Sequence, residues 1–256
     1  MLTHVDLFSG IGGFALAAGW AGFKTVAFCE IDPFCQAVLK KHWPGVPIYE
    51  DIKTFKWSGD SPTLITGGFP CQDISRAGDG VGIDGPRSGL WSEFFRIICE
   101  IRPSYVLVEN VSALLDRGLE RILGNLASVG HDAEWHCISA AYVGRPHLRD
   151  RTWVLAYPNG YSGTFGILHR NGPQGQARRP QEEKWGDYRL VPQVGRKIHR
   201  RLPTEQEGVP KPEILRMVDG LPGELDRIKS LGNAIVPQVA YEIIKGIAEI
   251  ERGSIG

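Results

Sequence analysis

The stretch His4-Val5-Asp6-Leu7-Phe8-Ser9-Gly10-Ile11-Gly12-Gly13-Phe14-Ala15 decides the fold. A short β-like run, His4 to Phe8, passes straight into a glycine turn with a GxGxxA pattern, Gly10 to Ala15, and a helical stretch, Phe14 to Ala21, follows. Glycines at such a turn let the backbone approach a ligand closely. Glu30 closes the next strand-like run, Thr25 to Glu30, and a carboxylate about 20 residues beyond the turn is suited to holding ribose hydroxyls. Alone, this signature implies a nucleotide-like ligand and does not separate a nicotinamide cofactor from S-adenosylmethionine.

Outward from that turn the same alternation continues. Pro47 to Asp51, Thr63 to Thr66 and Tyr105 to Val111 read as strands, and Pro33 to Trp43, Gly89 to Ile101 and Leu115 to Val129 as helices, the last closed by Gly130. Glu134 to Ser139 and Thr152 to Ala156 flank a turn-rich basic segment and read as a closing hairpin. Stacked βαβ units of this kind predict an α/β fold, doubly wound, with a mostly parallel sheet of about seven strands. Composition then shifts: residues 157–212 are rich in Gly, Pro, Gln and Arg and hold ten Lys or Arg against five acids, a small, irregular, basic lobe. Near the end, Val239, Ile243, Ile247 and Ile250 fall on one face of a helix that should return to cover the sheet. The expected organisation is a catalytic, cofactor-binding domain over 1–156, a small target-recognition region over 157–212 and a returning segment over 213–256.

With 256 residues, 42% apolar and 23% charged, the chain can build a real core, and neither disorder nor a fibrous repeat fits. Lys plus Arg and Asp plus Glu both number 29, which excludes a globally cationic binder, so an anionic partner must be met by a local patch. No apolar run reaches the roughly 20 residues that span a bilayer, and the N-terminus lacks the regions of a signal peptide, so a cytoplasmic location is expected. The five cysteines, Cys29, Cys35, Cys71, Cys99 and Cys137, carry no CxxC, which argues against a disulfide framework or a metal site.

One cysteine stands apart. Cys71 follows Gly67-Gly68-Phe69-Pro70 in a loop at the carboxyl end of a strand, where ligands bind in open α/β sheets, and its neighbours do not make an apolar core. The others read as buried, inert thiols. Glu109 and Asn110 interrupt the apolar run YVLVENV, and an acid in a central strand is costly unless paired or sited at the mouth of the crevice. If the first, fourth and fifth strands are adjacent, Gly10, Cys71 and Glu109 open onto one crevice. A thiolate adding at carbon-6 of a pyrimidine makes carbon-5 nucleophilic enough to take a methyl group, and an acid at the ring nitrogen stabilises the charge arriving there.

The blocks DLFSGIGG, GGFPCQDIS, VENV, PHLRDRTWVLA and LGNAIVP, in this order, resemble the cytosine carbon-5 DNA methyltransferases over residues 5–156 and 213–245, about three quarters of the chain. The resemblance implies transfer of a methyl group from S-adenosylmethionine to carbon-5 of cytosine in duplex DNA, through a covalent cysteine adduct and base flipping, with no metal. It implies that Phe8, Gly10 and Gly12 cradle the cofactor, Glu30 holds its ribose, Ile31 and Ile52 flank its adenine, Asp51 accepts from the adenine amine, Leu90 packs on it and Asn233 meets its amino-acid end. Cys71 takes the place of the nucleophile, Glu109 that of the acid at the ring nitrogen, and Arg149 and Arg151 that of the pair supporting the flipped base and the catalytic loop. Where the family usually has Gln, this chain has His147.

Glycines recur through Gln72 to Gly89 beside Ser75, Arg76 and Arg87, and in the family the matching loop closes over DNA. Gln72, Ser75 and Arg87 are therefore expected to touch DNA, and Arg196, Lys197, Arg200 and Arg201 to supply phosphate contacts from the target-recognition region. The implied partner is double-stranded DNA, met by a monomer in a prokaryotic or viral setting, and a restriction nuclease acting on the same site is compatible. Three alternatives stay open: a transfer RNA substrate, a non-catalytic DNA-binding relic, and a nicotinamide oxidoreductase resting on GxGxxA alone.

Overall fold

Residues 1–70, 90–140, 150–160, 230 and 233–253 are described by the computed structural model, and all of them fall in one compact unit. Seven strands form one sheet: β1 (Thr3–Leu7), β2 (Lys24–Cys29), β3 (Ile48–Tyr49), β4 (Leu64–Gly67), β5 (Tyr105–Val111), β6 (His131–Ser139) and β7 (Asp150–Pro158). Their spatial order is β3-β2-β1-β4-β5-β7-β6. The first five run parallel, and β7 enters antiparallel between β5 and β6. The expected α/β fold with a mostly parallel sheet is thus observed, including the adjacency of β1, β4 and β5. Strand order reverses direction between β1 and β4, and a crevice opens at such a switch point, beyond the carboxyl ends of the strands.

Both faces of the sheet are covered, which is why its central strands are apolar on alternate residues in both directions. One face carries α3 (Leu90–Ile101), whose Trp91, Phe94, Ile97 and Ile98 are fully buried, and α5 (Leu119–Ser128), which adds Ile122 and Leu126 against Val5, Leu7, Ile65, Val106 and Val108. The other carries α1 (Gly13–Trp20) and α6 (Pro237–Glu251), where Phe14, Ala18, Val239, Ile243 and Ile247 meet Leu64, Leu107, Trp153 and Leu155. The C-terminal helix therefore returns to the sheet as its 3.6-residue periodicity predicts. Each large side chain buried in this way contributes about 1.5–3 kcal/mol.

Local signals set the element ends. Asp32 caps α2 (Pro33–His42) by accepting from the Phe34 and Cys35 N–H groups, Pro33 opens the first turn, and Lys40, Lys41 and His42 meet the negative end of the helix dipole. The single helix expected over Leu115 to Val129 is two, α4 (Leu114–Arg117) and α5, because Gly118 breaks it at φ 155°. Gly130 closes α5 in the left-handed region, at φ 85°. Strand β6 starts at His131 rather than Glu134, since its ladder with β7 runs from His131–Pro158 to Ser139–Asp150 through polar residues that hide the alternation. Among the described residues no helix is long and apolar enough to cross a membrane. From residue 161 the predicted target-recognition region lies outside the described residues.

Candidate active site

The glycine turn sits at the carboxyl end of β1. Phe8 and Gly10 both lie at φ 54° and Gly12 at φ 86°, so a side-chain-bearing residue, Phe8, is held in a conformation that glycine adopts freely. The hydrogen bonds Ser9 N to Cys29 O (3.1 Å), Gly12 N to Ser9 O (2.9 Å) and Ser9 Oγ to Asp6 O (2.6 Å) hold it there. Glu30, 20 residues on, lies over the turn: its Oε2 accepts from the Gly10 N–H at 2.6 Å and its Oε1 from the Asp32 N–H at 2.8 Å.

Glycine is required here for two different reasons. A Cβ on Gly12 would lie 2.6 Å from the indole ring of Trp43, which packs beneath the turn, and one on Gly13 would lie 2.7 Å from Ile235 Cγ1, so the C-terminal segment closes one side. At Gly10, by contrast, nothing lies within 4 Å of the same position, and open space remains above the turn for a ligand.

The other residues expected to meet the cofactor lie on several elements. Ile31 is 73% exposed, an apolar side chain left bare next to the Glu30 carboxylate. Asp51 Oδ1 accepts from the Lys53 N–H at 2.9 Å, and Ile52 is buried in the core beside Phe55. Glu30 and Asp51 both act on Cys29: burial first, then these two carboxylates, push its thiol up to about 12. Leu90 and Phe8 are partly buried against the α3 side of the core, the Phe8 ring 6.1 Å from Phe94, and Asn233 is exposed two residues before Ile235.

Across the switch point, β4 ends in Gly67-Gly68-Phe69-Pro70. Glu109 on β5 stands beside it: a Cβ on Gly68 would lie 3.2 Å from Glu109 Oε2. Asn110 Nδ2 donates to the Phe69 carbonyl at 3.1 Å, tying the two segments together. Glu109 is only 7% exposed, and Arg151 on β7 brings its Nε within 3.1 Å of Glu109 Oε1, forming an ion pair. The Arg151 Nη1 group donates to the Asp150 carbonyl at 2.9 Å. Cys71 itself, one residue beyond Pro70, lies outside the described residues, as do Gln72, Ser75, Arg87, His147, Arg149, Arg196, Lys197, Arg200 and Arg201. An open glycine turn held by the Glu30 carboxylate thus ends β1, and a buried acid–guanidinium pair stands beside the segment that follows β4. Among the described residues no group of three or more His, Cys, Asp or Glu is arranged to hold a metal ion.

The chain matches the C-5 cytosine-specific DNA methylase family over residues 2–199. It belongs to that family. Among similar DNA methylases, the type II methyltransferase M2.BsuMI of Bacillus subtilis is 41% identical over 160 residues, which are 59% of this chain and 41% of that protein. The type II methyltransferase M.AquIA of Picosynechococcus is 30% identical over 68% of this chain and 79% of its own length. The chain spans 41% and 57% of the first two relatives it matches. Its fold is that of the S. pombe Dnmt2 methyltransferase crystal structure, with a TM-score of 0.55 at 21% identity over 69% of this chain and 57% of that one.

The turn glycines and Glu30 lie together in one group, and Gly68, Glu109 and Arg151 in another. Trp43 and Ile235 also shape the turn and are not singled out by the sequence, whereas Gly68 stands in the GGFPCQDIS block. Ile235 lies inside the LGNAIVP block, so its motif was a signal. Trp43 reaches Gly12 from the end of α2, and no local pattern announces that contact.

Proposed function

We propose that this chain transfers a methyl group from S-adenosylmethionine to carbon-5 of cytosine in duplex DNA. The observation that carries the reading is the Glu109 carboxylate beside Gly68, three residues before Cys71 in the same loop, with Asn110 fastening that loop to β5. The cofactor fits the residues present: open space over Gly10, the Glu30 carboxylate at its rim and the bare Ile31 side chain offer backbone approach, a ribose acceptor and an apolar surface. When bound, S-adenosylmethionine supplies an electrophilic methyl group. Phe8, Gly10, Gly12, Glu30, Ile31, Asp51, Ile52, Leu90 and Asn233 would hold it.

In this reading Cys71 as thiolate adds to carbon-6 of a cytosine taken out of the stack, forming a C–S bond and moving the ring's electron pair toward carbon-5 and the ring nitrogen. Glu109 donates a proton at that nitrogen, and Arg151 orients the Glu109 carboxyl. Carbon-5 takes the methyl group and loses its hydrogen as a proton to water, the C–S bond breaks to return the thiolate, and the ring nitrogen gives its proton back to Glu109, leaving the neutral aromatic ring. Arg149 supports the flipped base. Arg196, Lys197, Arg200 and Arg201 bind phosphates, and Gln72, Ser75 and Arg87 close on the duplex. The chemistry modifies one base at a time, calls on no metal and needs no second subunit.

Tritiated S-adenosylmethionine with duplex DNA should place label on cytosine, Cys71→Ser should abolish it, and Glu109→Gln should slow it about 10²-fold or more. An unaltered rate in Cys71→Ser refutes the nucleophile, and label on transfer RNA but not DNA replaces the substrate.

A further inference from the structure

The centre of the sheet holds four polar side chains where an apolar run would be expected. On the face beneath α1, Thr25 of β2, His4 and Asp6 of β1 and Thr66 of β4 lie side by side, three of them with no exposed surface and Thr25 with 7%. Their hydrogen bonds have one consistent direction. Thr66 Oγ1 donates to Asp6 Oδ1 at 2.9 Å, so it accepts at 2.8 Å from His4 Nε2–H, and His4 Nδ1 then accepts from the Thr25 hydroxyl at 3.0 Å. A neutral imidazole satisfies this arrangement, and burial lowers the His4 pKa to about 3. Burial likewise raises Asp6 well above the carboxylate range, with Glu30 adding to the shift.

The place of this row matters more than its charge state. Asp6 and Thr66 are register partners on the two strands between which the sheet order reverses. Asp6 is two residues before Phe8 and the glycine turn, and Thr66 is one residue before Gly67-Gly68 and the loop to Cys71. Helix α1 begins at Gly13, and its N-cap, Gly12, offers no capping side chain; no acid stands in the first turn. The Ala15 N–H, in that first turn, instead faces the Asp6 carboxyl from above. Asp6 therefore touches both things that must keep their spacing, the cofactor turn above it and the cysteine strand beside it, while its Oδ2 makes no hydrogen bond.

We propose that Asp6 and Thr66 are a positioning pair that fixes the glycine turn against the strand carrying the cysteine loop, and so sets the distance between methyl donor and nucleophile. The inference rests on the activity proposed above. Asp6→Asn keeps an acceptor at the Oδ1 position for the Thr66 hydroxyl and preserves function, whereas Asp6→Leu and the isosteric Thr66→Val remove the link.

The test measures S-adenosylhomocysteine affinity by calorimetry, single-turnover methyl transfer to duplex DNA and thermal unfolding, on the full chain. Thr66→Val is expected to stay folded, bind S-adenosylhomocysteine about tenfold more weakly and transfer methyl about tenfold more slowly at saturating cofactor, with Thr66→Ser restoring both. Asp6→Leu should follow Thr66→Val, and Asp6→Asn should follow the unaltered chain. A Thr66→Val protein that binds and transfers normally overturns the inference alone, as does an Asp6→Asn protein as impaired as Asp6→Leu. If the unaltered chain binds S-adenosylhomocysteine but transfers no methyl group, the proposed activity fails while the affinities of the variants still decide the positioning role. If it binds none, both fall.

Discussion

Gly10 and Gly12 share a turn and a left-handed backbone, yet alanine at the two positions should fail in opposite ways. At either position the added Cβ costs about 1–2 kcal/mol, because a side chain disfavours that conformation. At Gly12 it would also meet Trp43 Cη2 and Cζ3 at 2.6 Å, and that ring is itself packed 5.5 Å from Phe28 at 64°. Displacing a ring held on its far side adds overpacking of about 1–3 kcal/mol, so Gly12→Ala should lose about 3 kcal/mol in all. For a chain of this size that is roughly 6–12 °C in melting temperature. Gly10→Ala, with nothing within 4 Å of its Cβ, should lose only the backbone part and yet lower S-adenosylhomocysteine affinity more than about tenfold, since the methyl group projects into the space left for the ligand. Melting curves and calorimetry separate the two effects, and Trp43→Phe, which removes the clashing atoms, should return Gly12→Ala to the smaller loss in a double-mutant cycle. Equal destabilisation by Gly10→Ala and Gly12→Ala, or no recovery with Trp43→Phe, would refute the reasoning.

Two further outcomes follow from buried titratable groups. Cys29, with its thiol pushed up from 9.0 to about 12, should carry roughly a thousandth of the ordinary thiolate population at pH 8, so timed alkylation read by peptide mass spectrometry should leave it unlabelled in the folded chain; rapid labelling would show that it is not buried as described. Glu134, raised by burial from 4.5 to about 8, keeps a proton in the folded chain that the unfolded chain releases above pH 4.5. Its contribution is therefore favourable at low pH and is lost as pH rises toward 8, so the stability difference between the unaltered chain and Glu134→Gln should shift against the unaltered chain across that window. A difference that stays flat between pH 5 and pH 8 would contradict it.

The parts of the fold that were legible in the sequence are those whose physics is local. Strands β1, β2 and β5 announced themselves because both of their faces are buried, and α6 because its apolar positions repeat at helical spacing. Helices α4 and α5 were read as one because Gly118 costs a helix only modestly in isolation, and its φ of 155° is imposed by the surrounding chain. The polar start of β6 gave no alternation to read, and its length is set by pairing with β7. In the site, Glu30 and Glu109 were visible as acids at strand ends, where burial would otherwise be costly. The contact of Glu109 with Gly68 was not, because it joins residues of β5 and the β4 loop that only the strand order brings together.

The same distinction explains where this molecule keeps its unfavourable features. The two faces that cover the sheet are mainly apolar, with Trp91, Phe94, Ile243 and Ile247 fully or almost fully buried. Phe8 at positive φ just beyond β1, the buried Asp6 and His4 of β1 and the near-buried Glu109 of β5 lie around the switch point, while Arg102 at φ 54° and the half-buried Glu134 of β6 lie away from it. Strain and buried polarity persist only where the surroundings over-determine them, and β1, β4 and β5 are the most enclosed strands in the sheet. Substitutions at the switch point should therefore alter cofactor affinity and rate more than folding, whereas truncations on α3 or α6 should do the reverse. Gly12 belongs to both groups: its backbone faces the ligand space and its missing side chain faces the core, so it is the position where fold and function cannot be varied separately.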